Sequence, residues 1–593
     1  MALAETVLRH VYKLGLFAKV FQMLPRMSFL LALASVVWLL VLPMDGQYRH
    51  TYISENALLP GQVTSYFRES EWNYVRGFRS EVLLWDFELV SRQNDVLEDW
   101  LHDFGWAVSR YRDHKTNATT MYALMHAPRG DNTEAMVLAV PYYTSSGEPN
   151  HGGLTLAPAL AHYFARMSIW SKNIILVFPR DGHAPLRSWV EAYHTTLDAT
   201  AGSIEAALVI VYPSESDKFS HVEVSYEGLN GQLPNLDLIN TVTTVAGHEG
   251  INVGVHHASN AQLTRNDYWT RLRVLAWGVL RLATTGLFLN SLGCEAFSGW
   301  QIQAITITAV PGNHHDVTQF GRIVDSTFRS VNNLLEKFHQ SFFFYLLLSP
   351  HHFVSIGTYL PAAVLVAAAF VLSSLYSLAS GVTTPQFISH ISDTLFLFTA
   401  IEAVCLVTAL FLQHLVVAGH GDVTIITAAV VAVSALFSVC ALRSRTLNWL
   451  GSTYSHMLLS FALYFVAILI TSMLIVHFAL AFSIGLCALP CIFIQPLINQ
   501  THANPALAGR NNVKIALCLL LSCPVTALVA LGYTMNGGGV DGVLALSRGF
   551  FMSWDIMQSW TYFVVTLGWL PAWLAVVVSC LFGTFLPKPA KDE

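Results

Sequence analysis

The sequence has few charged residues, and those it has are dispersed. Asp, Glu, Lys and Arg make up 12% of the 593 residues, the net charge is −6, and no dense run of Lys or Arg occurs. Proteins that bind nucleic acid carry a clustered basic surface, so this composition argues against nucleic acid, or any strongly anionic surface, as the main partner. A hydrophobic content of 53% is in turn too high for a single water-soluble domain.

Cysteine is nearly absent from the first 350 residues. Only Cys294 lies there, and the other seven are Cys405, Cys440, Cys487, Cys491, Cys518, Cys523 and Cys580. A disulfide within the first part of the chain is therefore excluded. No motif surrounds Cys294, which favours a buried thiol over a nucleophile.

The apolar residues divide the chain into two modules. One hydrophobic span, residues 27–43, follows an N-terminal segment, 1–26, and precedes an α/β head, 44–350, while hydrophobic spans fill 351–593. The first span ends near the bulky pair Trp38 and Leu39 instead of small residues typical of signal-peptide cleavage. We therefore expect a retained membrane anchor.

The basic residues predict the topology. Arg9, Lys13, Lys19 and Arg26 precede the anchor, so the positive-inside rule places the N-terminus in the cytosol and the head in the lumen. Seven more spans are predicted near 353–377, 395–417, 422–442, 457–480, 482–498, 513–533 and 560–586. With these eight spans, the remaining basic clusters fall on cytosolic loops or the tail: Arg443 and Arg445, Arg510 and Lys514, Lys588 and Lys591. Both termini are then cytosolic, and the segment 536–548 is a luminal loop.

Two sequons test this topology. Asn117 begins the sequon Asn-Ala-Thr in the predicted luminal head, and Asn499 begins Asn-Gln-Thr on the predicted cytosolic side. We expect a glycan on Asn117 and none on Asn499.

Apolar runs in the head alternate with segments of helical periodicity. Strands are predicted at 135–140, 173–178, 206–212 and 304–310, an edge strand at 221–226, and helices around 156–164, through Trp189 and Tyr193, and from Pro234 to about Val245. Such alternation is typical of a mostly parallel sheet covered on both faces. Ligands of such sheets bind beyond the carboxyl ends of the strands, in this chain at the loops 141–153, 179–185 and 311–316.

These loops carry imidazole and carboxylate groups, namely His151, Asp181, His183, His314, His315 and Asp316. Zinc takes three or four such ligands in tetrahedral geometry. No HExxH or similar motif occurs, however, so two interpretations stay open. The histidines are ordinary polar loop residues, or a single zinc ion is held by His315, Asp316 and Asp181.

Five segments carry a family resemblance: Ser54–Ala57, Trp189–His194, Glu227–Leu238, Leu334–Phe343 and Phe353–Gly357. They resemble the glycosylphosphatidylinositol (GPI) anchor attachment protein family, subunits of the GPI transamidase of the endoplasmic reticulum membrane. The resemblance implies a subunit without catalytic residues that presents the GPI lipid and organises the complex. It also implies a caspase-like partner subunit that carries the Cys/His chemistry, and a precursor protein as the second substrate.

The family's head is similar to the M28 zinc aminopeptidases, and the chain departs from their pattern. Ser145 stands where relatives have an acid, Arg180-Asp181-Gly182 replaces the paired glutamates, and His315 replaces a tyrosine. A two-metal hydrolase needs bridging acids and a general base. The expectation is therefore no cofactor, with a luminal metallopeptidase or metal-assisted amide-bond former as the alternative function.

The membrane half offers candidate lipid contacts. Pro571 lies inside the last apolar span between Trp569 and Trp573, and proline bends a helix by removing a hydrogen bond. The resemblance implies that this span recognises GPI. Glu402 is an ionisable residue within a span, which is costly and usually functional or paired. A transporter is a third hypothesis, but no inverted repeats are visible.

Overall fold

The computed structural model describes residues 16–88, 90–113, 116–289, 291–440, 449–535 and 538–585. The basic residues Arg9, Lys13, Arg443, Arg445, Lys588 and Lys591, used above to predict topology, lie outside these ranges. The chain divides into two compact units. A head comprises Leu42–Thr358 together with Ile556–Ser559, and a helical bundle comprises the described residues up to Val41, Tyr359–Asp555 and those from Trp560.

The head is built around a mixed eight-stranded sheet. The described residues of the head form eleven strands, which divide between this sheet and a smaller one. They are β1 (Arg49–His50), β2 (Ala107–Arg112), β3 (Thr119–Met125), β4 (Glu134–Ala139), β5 (Asn173–Phe178), β6 (Ser203–Val211), β7 (Lys218–Ser225), β8 (Val253–Gly254), β9 (Gln303–Asp316), β10 (Tyr345–Ser349) and β11 (His352–Ser355). The large sheet has the order β2-β3-β5-β4-β6-β9-β7-β8, and its central strands β5, β4, β6 and β9 are parallel. A small second sheet has the order β1-β11-β10.

One helix precedes the head, and the helices of the head itself cover its sheet. Helix α1 (Leu16–Val41) belongs to the bundle, and those of the head are α2 (Glu69–Val82), α3 (Val90–Asp103), α4 (His151–Arg166), α5 (Ala184–Thr195), α6 (Leu236–His248), α7 (Asn260–Arg265), α8 (Tyr268–Thr284) and α9 (Val317–Asn332). Short 3-10 turns lie at Asn56–Leu58, Leu229–Gly231 and Cys294–Phe297. Strand β5 is buried along its whole length, as expected for a parallel strand covered on both faces.

The predicted strands and helices of the head are present, with two differences. Strand β7 is not the edge strand, because the two-residue β8 pairs with its outer side. The predicted loop 311–316 is the second half of β9, which continues antiparallel to β7 as far as Asp316. Phe219 of β7 faces both Pro311 and His315, so the intervening residues leave the ladder as a bulge, which accommodates a proline in a strand.

The bundle consists of helices α10 (Ile356–Gly381), α11 (Thr384–Val417), α12 (Val423–Cys440), α13 (Ser452–Met473), α14 (Phe478–Ala488), α15 (Ile494–Ala503), α16 (Ala508–Leu521), α17 (Pro524–Thr534), α18 (Gly539–Met557), α19 (Thr561–Phe563) and α20 (Leu570–Phe582). The 3-10 segments Leu489–Phe493 and Pro505–Leu507 lie before α15 and α16, and the π-helical segment Val564–Trp569 joins α19 to α20. Among the described residues, seven helices are long and apolar enough to cross a membrane, or up to eight if the bent pair Pro505–Leu521 and Pro524–Thr534 counts as one span.

Three details of the predicted spans are corrected. Helix α1 begins at Leu16, well before residue 27, and its candidate span is Val20–Val41. The predicted span 513–533 is broken by a bend of 60°. The predicted luminal loop 536–548 is largely helical, because α18 starts at Gly539. This helix carries charged residues such as Arg548, so it shows no uniformly apolar run that would reveal it in the sequence.

Candidate functional site

An apolar cavity of about 110 Å³ lies within the bundle. Helices α11, α12, α17 and α18 and the last span form its walls. The lining residues are Cys405, Thr408, Ala409, Leu412, Thr427, Val430, Val431, Pro524, Val525, Leu528, Val529, Leu546, Ser547, Phe550, Phe551, Tyr562, Val565, Thr566 and Leu570. The lining is almost wholly apolar, so hydrocarbon is the chemistry that fits.

The last span meets the cavity with an unusual turn. Val565, Thr566 and Leu570 lie on or beside the π-helical segment Val564–Trp569, and π-helical turns inside α-helices frequently occur at functional sites. The hydroxyl of Tyr562 donates a hydrogen bond to the carbonyl oxygen of Ala409 at 2.6 Å. This bond joins the start of the last span to α11 at the cavity wall.

Pro571, Trp569 and Trp573 are all buried, and none of them lines the cavity. Pro571 lies just after the π-helical segment, in the first turn of α20, and inside the continuous candidate span Thr561–Phe582. The indole N–H of Trp573 donates to the carbonyl oxygen of Leu519 at 2.8 Å. These three side chains pack within the bundle, while their neighbour Leu570 lines the cavity.

Glu402 lies on α11, one helical turn before the cavity residue Cys405. One of its carboxylate oxygens is shielded and has no hydrogen-bond partner among the described residues. A buried acceptor without a partner is energetically costly, so this oxygen can take a donor from a ligand or another chain.

A second, more polar cavity of about 130 Å³ lies in the head at the carboxyl ends of the central strands. It is lined by Pro141, Tyr143, Thr144, Ser145, Ser146, Gly182, Val211, Pro213, Glu223, Ser225, His257, Ser291, Leu292 and Thr308. Asn150 holds its walls together, since its amide donates to Pro141 O and Ile210 O at 2.9 and 3.1 Å and accepts from Tyr212 N at 2.7 Å. The predicted ligand position at the strand ends is therefore a formed cavity.

The residues predicted to bind zinc do not form a metal site. No group of three or more His, Cys, Asp or Glu side chains placed to hold an ion occurs among the described residues. Asp316 caps α9 by accepting hydrogen bonds from Thr318 N and Gln319 N, and Asp181 accepts one from the His183 backbone at 2.9 Å. His315 contacts the Phe219 ring. This donor set does not fit a zinc ion.

Burial changes the acid–base behaviour of the strand-end loop. It raises the pKa of Asp181 and lowers the pKa of His183 to about 4, because a low-dielectric environment disfavours the charged form of each group. His183 is therefore neutral at pH 7 and is poorly suited to donate a proton.

A buried ionic network that sequence reasoning missed lies beside the polar cavity. The Glu227 carboxylate lies 3.0 Å from His256 Nδ1 and 3.8 Å from Arg281 Nε, and His256 also contacts the Tyr226 hydroxyl at 3.0 Å. Burial alone would raise the pKa of Glu227, but Arg281 and His256 lower it well below its usual range. The only signal in the sequence is that Glu227 begins the long family-like segment.

A neighbouring pair faces the polar cavity itself. The backbone N–H of His257 donates to Glu223 at 2.7 Å, and its ring Nδ1 lies 3.0 Å from the same carboxylate. Burial opposes ionisation of Glu223, yet His257 lowers its pKa. The cavity thus presents an ionised carboxylate with an attached imidazole and several hydroxyls, a surface suited to polar ligands.

Cys294 is buried, as predicted, and burial raises its pKa well above the usual value. A nucleophilic thiol needs a lowered pKa and access, so Cys294 is not built for nucleophilic attack. Asn117, the predicted glycosylation residue, is exposed in a turn with φ of 58° and accepts a hydrogen bond from Arg112 at 2.8 Å.

Comparisons with known proteins assign the whole chain. Residues 117–577 match the family model described as Gaa1-like, GPI transamidase component. The Saccharomyces cerevisiae protein named GPI transamidase component GAA1 is 39% identical over the full length of both chains. The Schizosaccharomyces pombe component gaa1 is 32% identical over 60% of this chain and 65% of its own.

Two solved structures are similar to about half of the chain. The Legionella pneumophila LapA aminopeptidase covers 49% of this chain and 78% of its own at 10% identity and a TM-score of 0.31. A Porphyromonas gingivalis glutaminyl cyclase covers 44% of this chain and 97% of its own at 12% identity and a TM-score of 0.28. At these values the likeness concerns the fold alone.

Proposed function

The chain belongs to the Gaa1-like family of GPI transamidase components, and from that premise we propose how it serves the enzyme. We infer that it is a subunit without catalytic residues of its own, which holds the lipid part of the GPI substrate in the apolar cavity of the bundle. The observation that carries this proposal is the cavity itself, because its almost wholly apolar lining favours hydrocarbon over polar groups as the occupant.

The rest of the transamidation is assigned to other chains. The caspase-like subunit supplies the Cys/His nucleophile that cleaves the precursor protein and transfers its new carboxyl end to the GPI lipid. The buried, weakly acidic Cys294 supports this division of labour. The chain then resides in the endoplasmic reticulum membrane with a luminal head and cytosolic termini, as the positive-inside rule predicts.

Glu402 contributes to lipid binding in this proposal. Its shielded oxygen lacks a hydrogen-bond partner among the described residues and lies one turn from the cavity wall. An N–H or O–H group of the bound lipid would satisfy it. Trp569, Pro571 and Trp573 act indirectly, by fixing the packing of the span that carries Val565, Thr566 and Leu570.

A single helix offers a matched pair of substitutions to test the cavity. Val430→Trp fills the space from α12, whereas Val433→Trp places the same side chain on a lipid-exposed position of that helix. In cells that lack the native chain, Val430→Trp should leave GPI precursors unused and should lose most crosslinking of a photoactivatable GPI to this subunit. Val433→Trp should behave like the wild type.

The outcome separates two levels of the proposal. If Val430→Trp crosslinks GPI as well as the wild type does, the cavity is not the lipid site. If cells without the chain keep normal levels of GPI proteins on their surface, the subunit role itself is rejected.

A further inference from the structure

Helix α8 (Tyr268–Thr284) of the head exposes large apolar side chains on one face. Trp269 is 72% and Trp277 37% exposed, and Ala276 is exposed between them. Leu272 and Leu280 lie half-buried along the same line. Leu272, Ala276 and Leu280 are four residues apart, and Trp269 precedes Leu272 by three residues and Trp277 by eight, so these side chains lie on one side of the helix. A contiguous exposed apolar strip of this kind marks an interaction surface.

The opposite face fixes α8 to the chain that leaves the first membrane span. Arg271 Nε donates to the Pro43 carbonyl oxygen at 2.9 Å, and its Nη2 contacts Asp45 at 3.0 Å. Its guanidinium also lies over the Tyr48 ring, 4.8 Å from the centroid. Pro43 follows the last residue of the candidate span, Val41, by two positions.

The same end of α8 is fixed to the chain that enters the second span. The side-chain Nδ2 of Asn266, two residues before the first residue of the helix, lies 3.4 Å from His352 Nδ1. His352 belongs to β11, which pairs with both β1 and β10, and α10 begins at Ile356 directly after β11. Helix α8 also packs against β10. The start of the helix is thus bound to both segments through which the head joins the membrane.

These connections set the depth of the helix. Two extended residues span at most about 7 Å, and the headgroup layer on each side of the hydrocarbon core is roughly 5 to 8 Å thick. The first turn of α8 is therefore held within reach of the lipid headgroups. Tryptophan prefers this layer, and amphipathic helices that lie in it combine Trp and Leu on one face with basic residues.

The charges nearby suit the same environment. Arg265 and Arg273 are exposed beside the apolar strip, and long basic side chains can reach phosphates while their stems stay in apolar surroundings. The neighbouring acid Asp267 is engaged as the helix cap, since it accepts a hydrogen bond from Thr270 N at 2.9 Å.

We propose that the exposed face of α8, from Trp269 to Leu280, rests in the phospholipid headgroup layer and fixes the orientation of the head at the membrane surface. This inference is independent of the lipid-binding cavity. It concerns bulk phospholipid, which contacts Trp269 and Trp277 directly.

Depth-dependent quenching tests the proposal in the full chain, purified with its partner subunits and placed in phosphatidylcholine nanodiscs. An environment-sensitive fluorophore is attached to a cysteine introduced by Trp269→Cys or Ala276→Cys. The matched control is Leu335→Cys, because Leu335 lies elsewhere on the head and is 92% exposed. The signal of the labelled parent protein is subtracted for the native cysteines. Ala276→Cys alters the helix least and guards against a folding defect at Trp269.

We expect blue-shifted emission at positions 269 and 276, with at least a twofold loss of intensity when the lipids carry a nitroxide near the headgroup, and neither change at position 335. Equal quenching at 276 and 335 overturns the proposal. A blue shift at 276 without lipid quenching also overturns it, because a protein partner would then cover the face.

Discussion

Acidification should destabilise the head through His183, and a substitution can isolate this effect. The His183 side chain is 7% exposed, and burial lowers its pKa to about 4, against an ordinary value near 6.5. Between these two values the unfolded chain binds a proton that the folded head does not. The contribution to stability is therefore complete above pH 6.5 and is lost as the pH falls towards 4.

The magnitude follows from the two pKa values. At pH 4.5 the proton linkage lowers the free energy of unfolding by about 2.5 kcal/mol relative to pH 7.5. The neighbouring Asp181 acts in the opposite direction, because burial raises its pKa and proton uptake by this carboxyl then favours the folded head. Both effects are present in wild type, but only the first is removed by His183→Gln.

The assay is thermal unfolding of the full chain in detergent, followed by tryptophan fluorescence from pH 7.5 to 4.5. For a domain of this size, about 1 kcal/mol corresponds to roughly 2 to 4 °C in Tm. Acidification from pH 7.5 to 4.5 should therefore lower the Tm of His183→Gln by about 5 to 10 °C less than it lowers the Tm of the wild type. The exposed His126 gives a matched control, His126→Gln, which should lose as much as the wild type. Equal losses in His183→Gln and wild type would refute the reasoning.

Two further outcomes are expected. Asn117→Gln should remove an endoglycosidase-sensitive mobility shift on gels, because Asn117 is exposed. Asn499→Gln should leave the mobility unchanged, because the Asn499 amide donates to other bundle side chains at 2.9 and 3.0 Å. A glycan on Asn499 would overturn the topology. Gly152→Ala should lower the Tm of the head by several degrees, since an added Cβ would lie 1.8 Å from the Tyr212 ring, an overpacking cost of about 1 to 3 kcal/mol. Gly247→Ala, on a helix with open space around it, should leave the Tm unchanged or raise it.

The strands of the head could be predicted because their burial leaves a simple pattern. A parallel strand covered on both faces is a continuous apolar run, and 173–178 was predicted with the bounds that β5 has in the structure. The extension of β9 could not be predicted, because Pro311 and Gly312 look like a loop. Only the pairing with β7, formed across a bulge, keeps them in the sheet.

The candidate sites were less accessible to sequence reasoning. The apolar cavity is formed by residues from five separate helices, and its lining is as apolar as the lipid-facing surface of the same helices. Hydrophobic periodicity therefore cannot separate the two. The Glu227 network combines groups from distant segments, His256 and Arg281 among them, and nothing local in the sequence pairs them.

The family-like segment Glu227–Leu238 contacts a short stretch of chain that is distant in the sequence. Asn230 donates from its side-chain amide to the Gln558 carbonyl oxygen at 3.2 Å, and an added Cβ on Gly286 would lie 3.1 Å from Ser559 Cβ. Gln558 and Ser559 belong to the compact unit of the head although they lie between α18 and α19. These two contacts hold Gln558 and Ser559 within the head.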